Sequence, residues 1–214
     1  GVPIDEMKAV FRKYIDGDRV SLYEKHDLET TKMDVVSFFY RCEENIGVNI
    51  FIADYHEENW RQALLDHVEY IYLVVQEDEL DNLSPEIVGL VRNRPTDIVI
   101  MHKRPLPYQK TASFYDKYSF RRHHHITADK QSYQRIYRYM TGQAIGIVFS
   151  GGGLRGYVHY GLIKALLEAK IPIDCIGGAS MGAVLGGFLS LRPVWSFFQE
   201  GFNDMQKLFK REYA

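Results

Sequence analysis

One serine and six glycines in the last third of the chain have the types and spacing to do chemistry. Ser180 stands in Gly178-Ala179-Ser180-Met181-Gly182, a G-x-S-x-G pattern. Between a strand and a helix, that pattern holds its serine on a sharp, strained turn with the hydroxyl exposed. The glycines leave room where helix and strand nearly touch. A serine so presented can attack a carbonyl carbon and carry an acyl group. The helix that follows begins beneath it, and the positive end of its dipole favours negative charge there. Upstream, Gly151-Gly152-Gly153-Leu154-Arg155-Gly156 follows a short apolar run. Three consecutive glycines leave their backbone N–H groups bare, a nest suited to an oxyanion or a phosphate. Arg155 has two readings: it ties the loop by hydrogen bonds, or its charge aids the oxyanion or a phosphate.

The same glycines fit other templates less well. Gly151 to Gly156 matches the dinucleotide fingerprint G-x-G-x-x-G, which calls for an acidic residue at the end of the next strand. Asp174 is near the right distance but stands at the start of that strand, and Ser180 follows its end. A Walker loop requires Lys where Tyr157 stands.

The elements that must position these turns can be read from pattern. Ala144 to Phe149 and Ile173 to Ile176 read as strands, each followed by a helical run. Val158, Leu162, Ala165, Leu166 and Ala169 would line the sheet-facing side of the first helix, with Gly161 allowing close approach to a strand. Cys175 falls in a strand expected to be buried. His159, in the helix after the glycine loop, is read as a packing or hydrogen-bonding residue rather than a general base.

GGGLRG, His159 and Gly161, then GGASMG, resemble the start of a patatin-like phospholipase domain. The run Gly161-Leu162-Ile163-Lys164-Ala165-Leu166, followed by Ile171-Pro172-Ile173-Asp174, is similar to the neuropathy target esterase branch. The resemblance covers about the last third of the chain. It implies a serine hydrolase of phospholipid or lysophospholipid esters working through a Ser–Asp dyad, with no cofactor and no metal. It places the nucleophile at Ser180 and the oxyanion hole at Gly151, Gly152, Gly153 and Arg155. Gly156, Gly178 and Gly182 complete the two motifs. The family's aspartate comes after the serine in an Asp-Gly-Gly or Asp-Gly-Ala motif. Here the only later aspartate is Asp204, in Asn203-Asp204-Met205. The sequence therefore reads as a fragment lacking the catalytic Asp, weakly active or inactive on its own.

The remaining sequence sets the frame. The chain has 214 residues, 46% hydrophobic and 25% charged, within the range of globular domains. A formal charge of -2 argues against general nucleic-acid binding. Two separated cysteines, Cys42 and Cys175, form no disulfide framework and suit a reducing compartment. No apolar run reaches membrane-spanning length. The expected location is cytoplasmic, with peripheral membrane contact open.

From residue 4 to 102, helical spacings alternate with strands at Val20–Tyr23, 48–52, 70–75 and 98–101, which predicts a Rossmann-like parallel layer. The run 70–75 reads as a strand buried on both faces. No glycine-rich loop follows any of these strands. Asp54 and Glu77-Asp78-Glu79, at strand ends, read as a solvated edge. Residues 103–128 are basic, aromatic and aperiodic, and predict a linker in which His123-His124-His125 is a solvated loop rather than a metal site. Arg121 and Arg122 there could touch anionic lipid head groups. Ser132 to Met140 predicts a helix with Gly142 past its end. Beyond Pro193, Val194, Phe198, Phe202, Met205 and Phe209 recur at helical spacing with an aromatic face.

The domains expected are 1–102, an α/β Rossmann-like segment; 103–142, basic linker and connecting helix; and 143–214, the first part of a patatin-type α/β/α sandwich. The expected partners are a phospholipid or lysophospholipid and no nucleic acid. A second copy, or a missing C-terminal part of the same protein, stays open. Two other functions remain: a non-catalytic interaction or membrane-associating module, and a dinucleotide-binding domain using GGGLRG.

Overall fold

The computed structural model describes residues 4–15, 20–45, 47–91, 94–104, 114, 118, 120–191, 200 and 203. Strands and helices alternate, and every strand pairing among these residues is parallel, so the fold is α/β. The chain divides into two compact units, residues 1–141 and 142–214.

In the first unit, α1 (Ile4–Ile15) leads to β1 (Val20–Tyr23), α2 (Lys25–Thr31), α3 (Val35–Glu43), β2 (Val48–Phe51) and α4 (Glu58–His67). Strands β3 (Ile71–Gln76), β4 (Thr96–His102) and β5 (Arg122–Thr127) follow, with α5 (Pro85–Val91) between β3 and β4 and α6 (Lys130–Met140) after β5. β1 pairs with β2, and a separate sheet has the order β3-β4-β5. β4 is the centre of that sheet and is buried at every residue. The run at 70–75 is apolar enough for a doubly covered strand. In the structure β3 is an edge, and only Val75 is buried along it. Met7 and Phe11 of α1 and Tyr133, Ile136 and Tyr137 of α6 close over one face on Val99, Met101 and Ile126. Ile98 and Ile100 face the other side with Leu80 and Leu83. Asp129 starts α6: its Oδ1 accepts from the N–H groups of Gln131 and Ser132 at 2.9 and 3.0 Å, the expected N-cap role.

The stretch read as a linker contains a strand. Residues 122–127 form β5, paired along its length with β4, and His124 is buried. Three adjacent histidines carry no period-2 apolar signal, so the strand is invisible to patterning. The carboxylates at the end of β3 are engaged: Glu79 accepts from the Gln76 N–H at 2.8 Å, and Asp78 from Lys103 Nζ at 2.8 Å. Asp54 is exposed and accepts from the His56 N–H.

In the second unit, β6 (Gly146–Phe149), a 3-10 turn (Gly153–Tyr157), α7 (Val158–Glu168), β7 (Cys175–Gly178) and α8 (Met181–Leu191) follow in order. Phe149, Ile163, Leu185 and Leu189 form its buried core. The face of α7 turned inward differs from the one expected. Ile163 is buried and Tyr160 and Leu167 pack beside it, while Val158 is 75% and Leu162 47% exposed. Two apolar faces compete on this helix, and the bulkier one with Tyr160 and Ile163 covers Phe149. Among the described residues nothing lies within 4 Å of where a Cβ on Gly161 would stand, so no described strand approaches it. Cys175 is exposed rather than buried, because β6 and β7 present Ile147, Phe149 and Ile176 to the helices and leave the opposite face open at Val148. The aromatic repeat from Val194 to Phe209, and Asp204, lie outside the described residues. No helix among the described residues is long and apolar enough to cross a membrane.

Candidate active site

The two glycine-containing turns stand side by side because of strand register. Phe149 pairs with Gly178, so β6 and β7 end level, and the Ala179 N–H donates to the Phe149 carbonyl at 3.1 Å. At the far end of the pair, Asp174 fixes that register. It is buried, its N–H donates to the Ile145 carbonyl at 2.8 Å, and its Oδ2 accepts from the Ile145 N–H at 2.9 Å. The acidic residue a dinucleotide site would want at the tip of β7 is therefore committed to the opposite end of the strand.

The glycines of the serine turn are sterically required. A Cβ on Gly178 would lie 2.6 Å from the Gly182 carbonyl carbon, and a Cβ on Gly182 would fall within 2.6 Å of the Phe149 carbonyl carbon and the Ser150 oxygen. Real Cβ atoms do not approach so closely, so either substitution must displace backbone. Helix α8 can thus start against the end of β6. Between these glycines Ser180 is exposed and has φ 50°, the left-handed region that a non-glycine residue enters at a cost of about 1 kcal/mol or more. The Ala183 N–H donates to the Ser180 carbonyl at 2.9 Å, so α8 begins directly beneath the serine. Its 11 residues place a partial positive charge under the hydroxyl.

The glycine loop leans on the same turn. A Cβ on Gly151 would stand 3.1 Å from Ser180 Cβ, which puts the loop backbone against the serine. Gly152 and Gly153 take φ of 156° and 54°, conformations that disfavour a side chain. Gly156 is buried, and a Cβ there would lie 2.5 Å from Met181 Cγ, so the 3-10 turn packs onto the residue after the serine. Arg155 is exposed at this turn, and its N–H donates to the Gly152 carbonyl at 3.1 Å. Ser180, Gly151, Gly156, Gly178 and Gly182 are thus brought together at two adjacent strand tips.

His159 is occupied elsewhere. Its Nε2 lies 3.0 Å from the Ser150 carbonyl oxygen and 3.3 Å from Ser150 Oγ, so the imidazole steadies the residue that enters the glycine loop. Among the described residues no carboxylate hydrogen-bonds Ser180.

A second polar cluster, in the unit of residues 1–141, escaped sequence reasoning. Asp97 is wholly buried, receives the Tyr70 hydroxyl at 2.5 Å on Oδ1, and has His124 Nε2 3.1 Å from Oδ2. Burial, then Asp97, pushes the Tyr70 hydroxyl up, and the same two causes raise Tyr72 to about 12. Burial also pushes His124 down, against the pull of Asp97. On the other face, His102 Nε2 is 2.8 Å from His125 Nδ1, and Glu77 Oε2 approaches His102 Nδ1 at 3.1 Å without hydrogen-bond alignment. Burial, then the neighbouring histidines His102 and His123, lowers His125 to about 4. The triple histidine was the visible signal, but Asp97 and His102 lie more than 20 residues away in sequence. Among the described residues no group of His, Cys, Asp or Glu is arranged to hold a metal ion.

Comparison with known proteins bears on the second unit above all. The family model for patatin-like phospholipases matches residues 147–213. Lysophospholipase NTE1 of Yarrowia lipolytica is 51% identical over 61 residues, 28% of this chain and 4% of that protein. Neuropathy target esterase sws of Drosophila persimilis is 52% identical over 54 residues, 25% of this chain and 4% of that protein. A patatin-like phospholipase domain-containing protein of Caenorhabditis elegans is 27% identical over 213 residues, spanning 81% of this chain and 19% of its own length. The chain thus spans less than a fifth of the length of these relatives. No solved structure matches it. With the strand–glycine loop–helix–strand–serine turn in view, residues 147–213 match the patatin-like phospholipase family and are similar to its neuropathy target esterase-type branch.

Proposed function

We propose that the second unit carries the nucleophile and the oxyanion-binding half of a lipid-ester hydrolase. The observation supporting this most directly is the contact between Gly151 and an exposed Ser180 held at φ 50°. Ser180 Oγ attacks the ester carbonyl carbon, its proton passing to a base, and the carbonyl oxygen becomes an oxyanion. Backbone N–H groups of Gly151, Gly152 and Gly153 receive that charge. Removing one such donor typically costs about 100- to 1000-fold in rate. Collapse of the intermediate breaks the ester C–O bond and expels the alcohol, which takes up the proton. Water then releases the acid from the acyl-serine by the same steps. Arg155 holds the loop or meets a lipid phosphate. His159 is assigned a packing or hydrogen-bonding role, which its contact with Ser150 supports, and Asp174 is engaged with Ile145. The base this reading requires is the carboxylate implied by the family resemblance, supplied from outside the described residues.

The substrate class proposed is a phospholipid or lysophospholipid, by likeness to relatives that carry the name lysophospholipase. A fluorophosphonate probe applied to the full-length protein, followed by peptide mass spectrometry, tests the reading. The adduct is expected on Ser180 and should vanish in Ser180→Ala. An adduct on another serine, or an unaltered one in the variant, refutes it.

A further inference from the structure

Three arginines gather where the start of β5 meets α6, Arg121 and Arg122 at the strand and Arg135 in the middle of the helix. Arg121 stands over the Tyr70 ring, its guanidinium carbon 4.8 Å from the centroid. Arg122 and Arg135 stand over the single ring of Tyr139, at 5.8 and 5.9 Å. His124 packs on that same ring at 4.6 Å. Arg121 and Arg122 are exposed and Arg135 is half-buried.

Among the described residues the charges here do not balance. Among the described residues none of the three guanidiniums forms an ion pair. The carboxylate within the cluster, Asp97, is wholly buried and spends its two oxygens on Tyr70 and His124. The C-terminal end of α6 offers about half an elementary negative charge. Set against three cations, these leave more than one positive charge over. One donor beside Tyr139 is also orphaned: Arg135 Nε is buried with no hydrogen-bond partner. A buried donor without an acceptor costs about 1–3 kcal/mol, and two guanidiniums sharing one ring repel each other. An anion made only of acceptors relieves both.

We propose that Arg122 and Arg135, both held over the Tyr139 ring, with Arg121 beside them, form a binding site for a phosphate group. Guanidinium forks match phosphate oxygens in pairs, and their faces stack on tyrosine rings without losing those donors. The aromatic rings hold the forks in place before the ligand arrives, which lowers the ordering cost of binding. The ligand class is a phosphomonoester, free in solution or on a lipid head group. The site lies wholly within residues 1–141 and stands independently of the esterase reading.

The test uses the full chain with two kinds of probe. Inorganic phosphate and glycerol phosphate are titrated by calorimetry, and co-sedimentation is measured with phosphatidylcholine vesicles with and without phosphatidic acid. Binding to the phosphate-bearing probes is expected. It should weaken roughly tenfold for each guanidinium removed, in Arg122→Gln, Arg135→Gln and the double variant, and remain unchanged in Arg41→Gln. Binding of the free phosphates identifies a soluble ligand, and binding of acidic vesicles alone identifies a lipid. Should the double variant fail to fold, Arg121→Gln, at an exposed position, is expected to weaken binding on its own. No binding of any probe at millimolar concentration, or equal binding by wild type and the Arg122 and Arg135 variants, overturns the proposal.

Discussion

The sheet of β3, β4 and β5 and the strand pair of β6 and β7 handle polar groups in opposite ways. The first buries side chains: Thr96, Asp97, His102 and His124 are all at most 3% exposed, and the partners of Asp97, His102 and His124 come from distant segments. At its strand tips the second does its work with backbone, while the buried Asp174 fixes the far end of the pair. Gly151, Gly178 and Gly182 leave out side chains so that strand tips, loop and helix can touch. One region is held by what its residues carry, the other by what its residues lack. Substitutions should therefore act by different mechanisms in the two places, and hydrogen exchange followed separately over residues 96–140 and 146–189 can tell them apart.

The largest effect is expected from Gly182→Val. The new side chain would collide with the carbonyl groups of Phe149 and Ser150, where neither strand nor helix can yield. Exchange protection over 146–189 should be lost, a destabilisation of about 4 kcal/mol or more, while β4 stays protected. Loss of protection in both segments would break the contrast.

Next comes Asp97→Ala. It strands the Tyr70 hydroxyl and the His124 imidazole in a dry interior, at about 3 kcal/mol. Chemical denaturation followed over residues 96–140 should show this loss, with β6 and β7 unaffected. A loss below about 1 kcal/mol would mean that the buried network is not what holds this sheet.

A smaller effect should come from pH. His125 is pushed down to about 4 by burial and its histidine neighbours, and burial also lowers His123 and His124. Between the unfolded value near 6.5 and the folded one, the unfolded chain binds protons that the folded strand refuses. Stability contributed by neutral histidine is complete above pH ~6.5 and falls as pH drops through that window. The melting temperature of the first unit should decrease from pH 7 to pH 5, and His125→Gln should flatten the slope. A melting temperature that rises on acidification would contradict the assignment.

The smallest effect sharpens the comparison within the second unit itself. Gly161 and Gly187 lie in α7 and α8 with nothing within 4 Å of where a methyl group would stand. Alanine at either should stabilise by about 0.5–1 kcal/mol, the ordinary helical preference. Destabilisation would show that glycine matters there for reasons other than contact.

The contrast also explains what could be read from sequence. The serine turn and the glycine loop were legible because a missing Cβ is a local, fixed-spacing requirement: Gly178 and Gly182 clash with atoms of neighbouring turns. Strand β4 was legible from Ile98-Val99-Ile100-Met101, and α6 from Ser132 to Met140 with Gly142 past its end. Strand β5 was not, because its stability comes from pairing with β4, and its histidines find Asp97 and His102 across the sheet. The inward face of α7 was misjudged since Val158 and Leu162 are as apolar as Tyr160 and Ile163, and only the position of Phe149 decides between them. Gly161 matched its motif without making the contact that spacing suggested.

On the function proposed, Ser180, set against the bare backbone of Gly151, is the group that attacks the ester. The decisive experiment is hydrolysis of a lysophospholipid by the full-length protein and by its Ser180→Ala variant, with hydrogen exchange over 146–189 as the control for folding. Release of fatty acid by the wild type is expected, with a fall of at least about 1000-fold in the variant and unchanged protection in both. Fatty-acid release that persists in a folded Ser180→Ala protein would refute the role given to this serine.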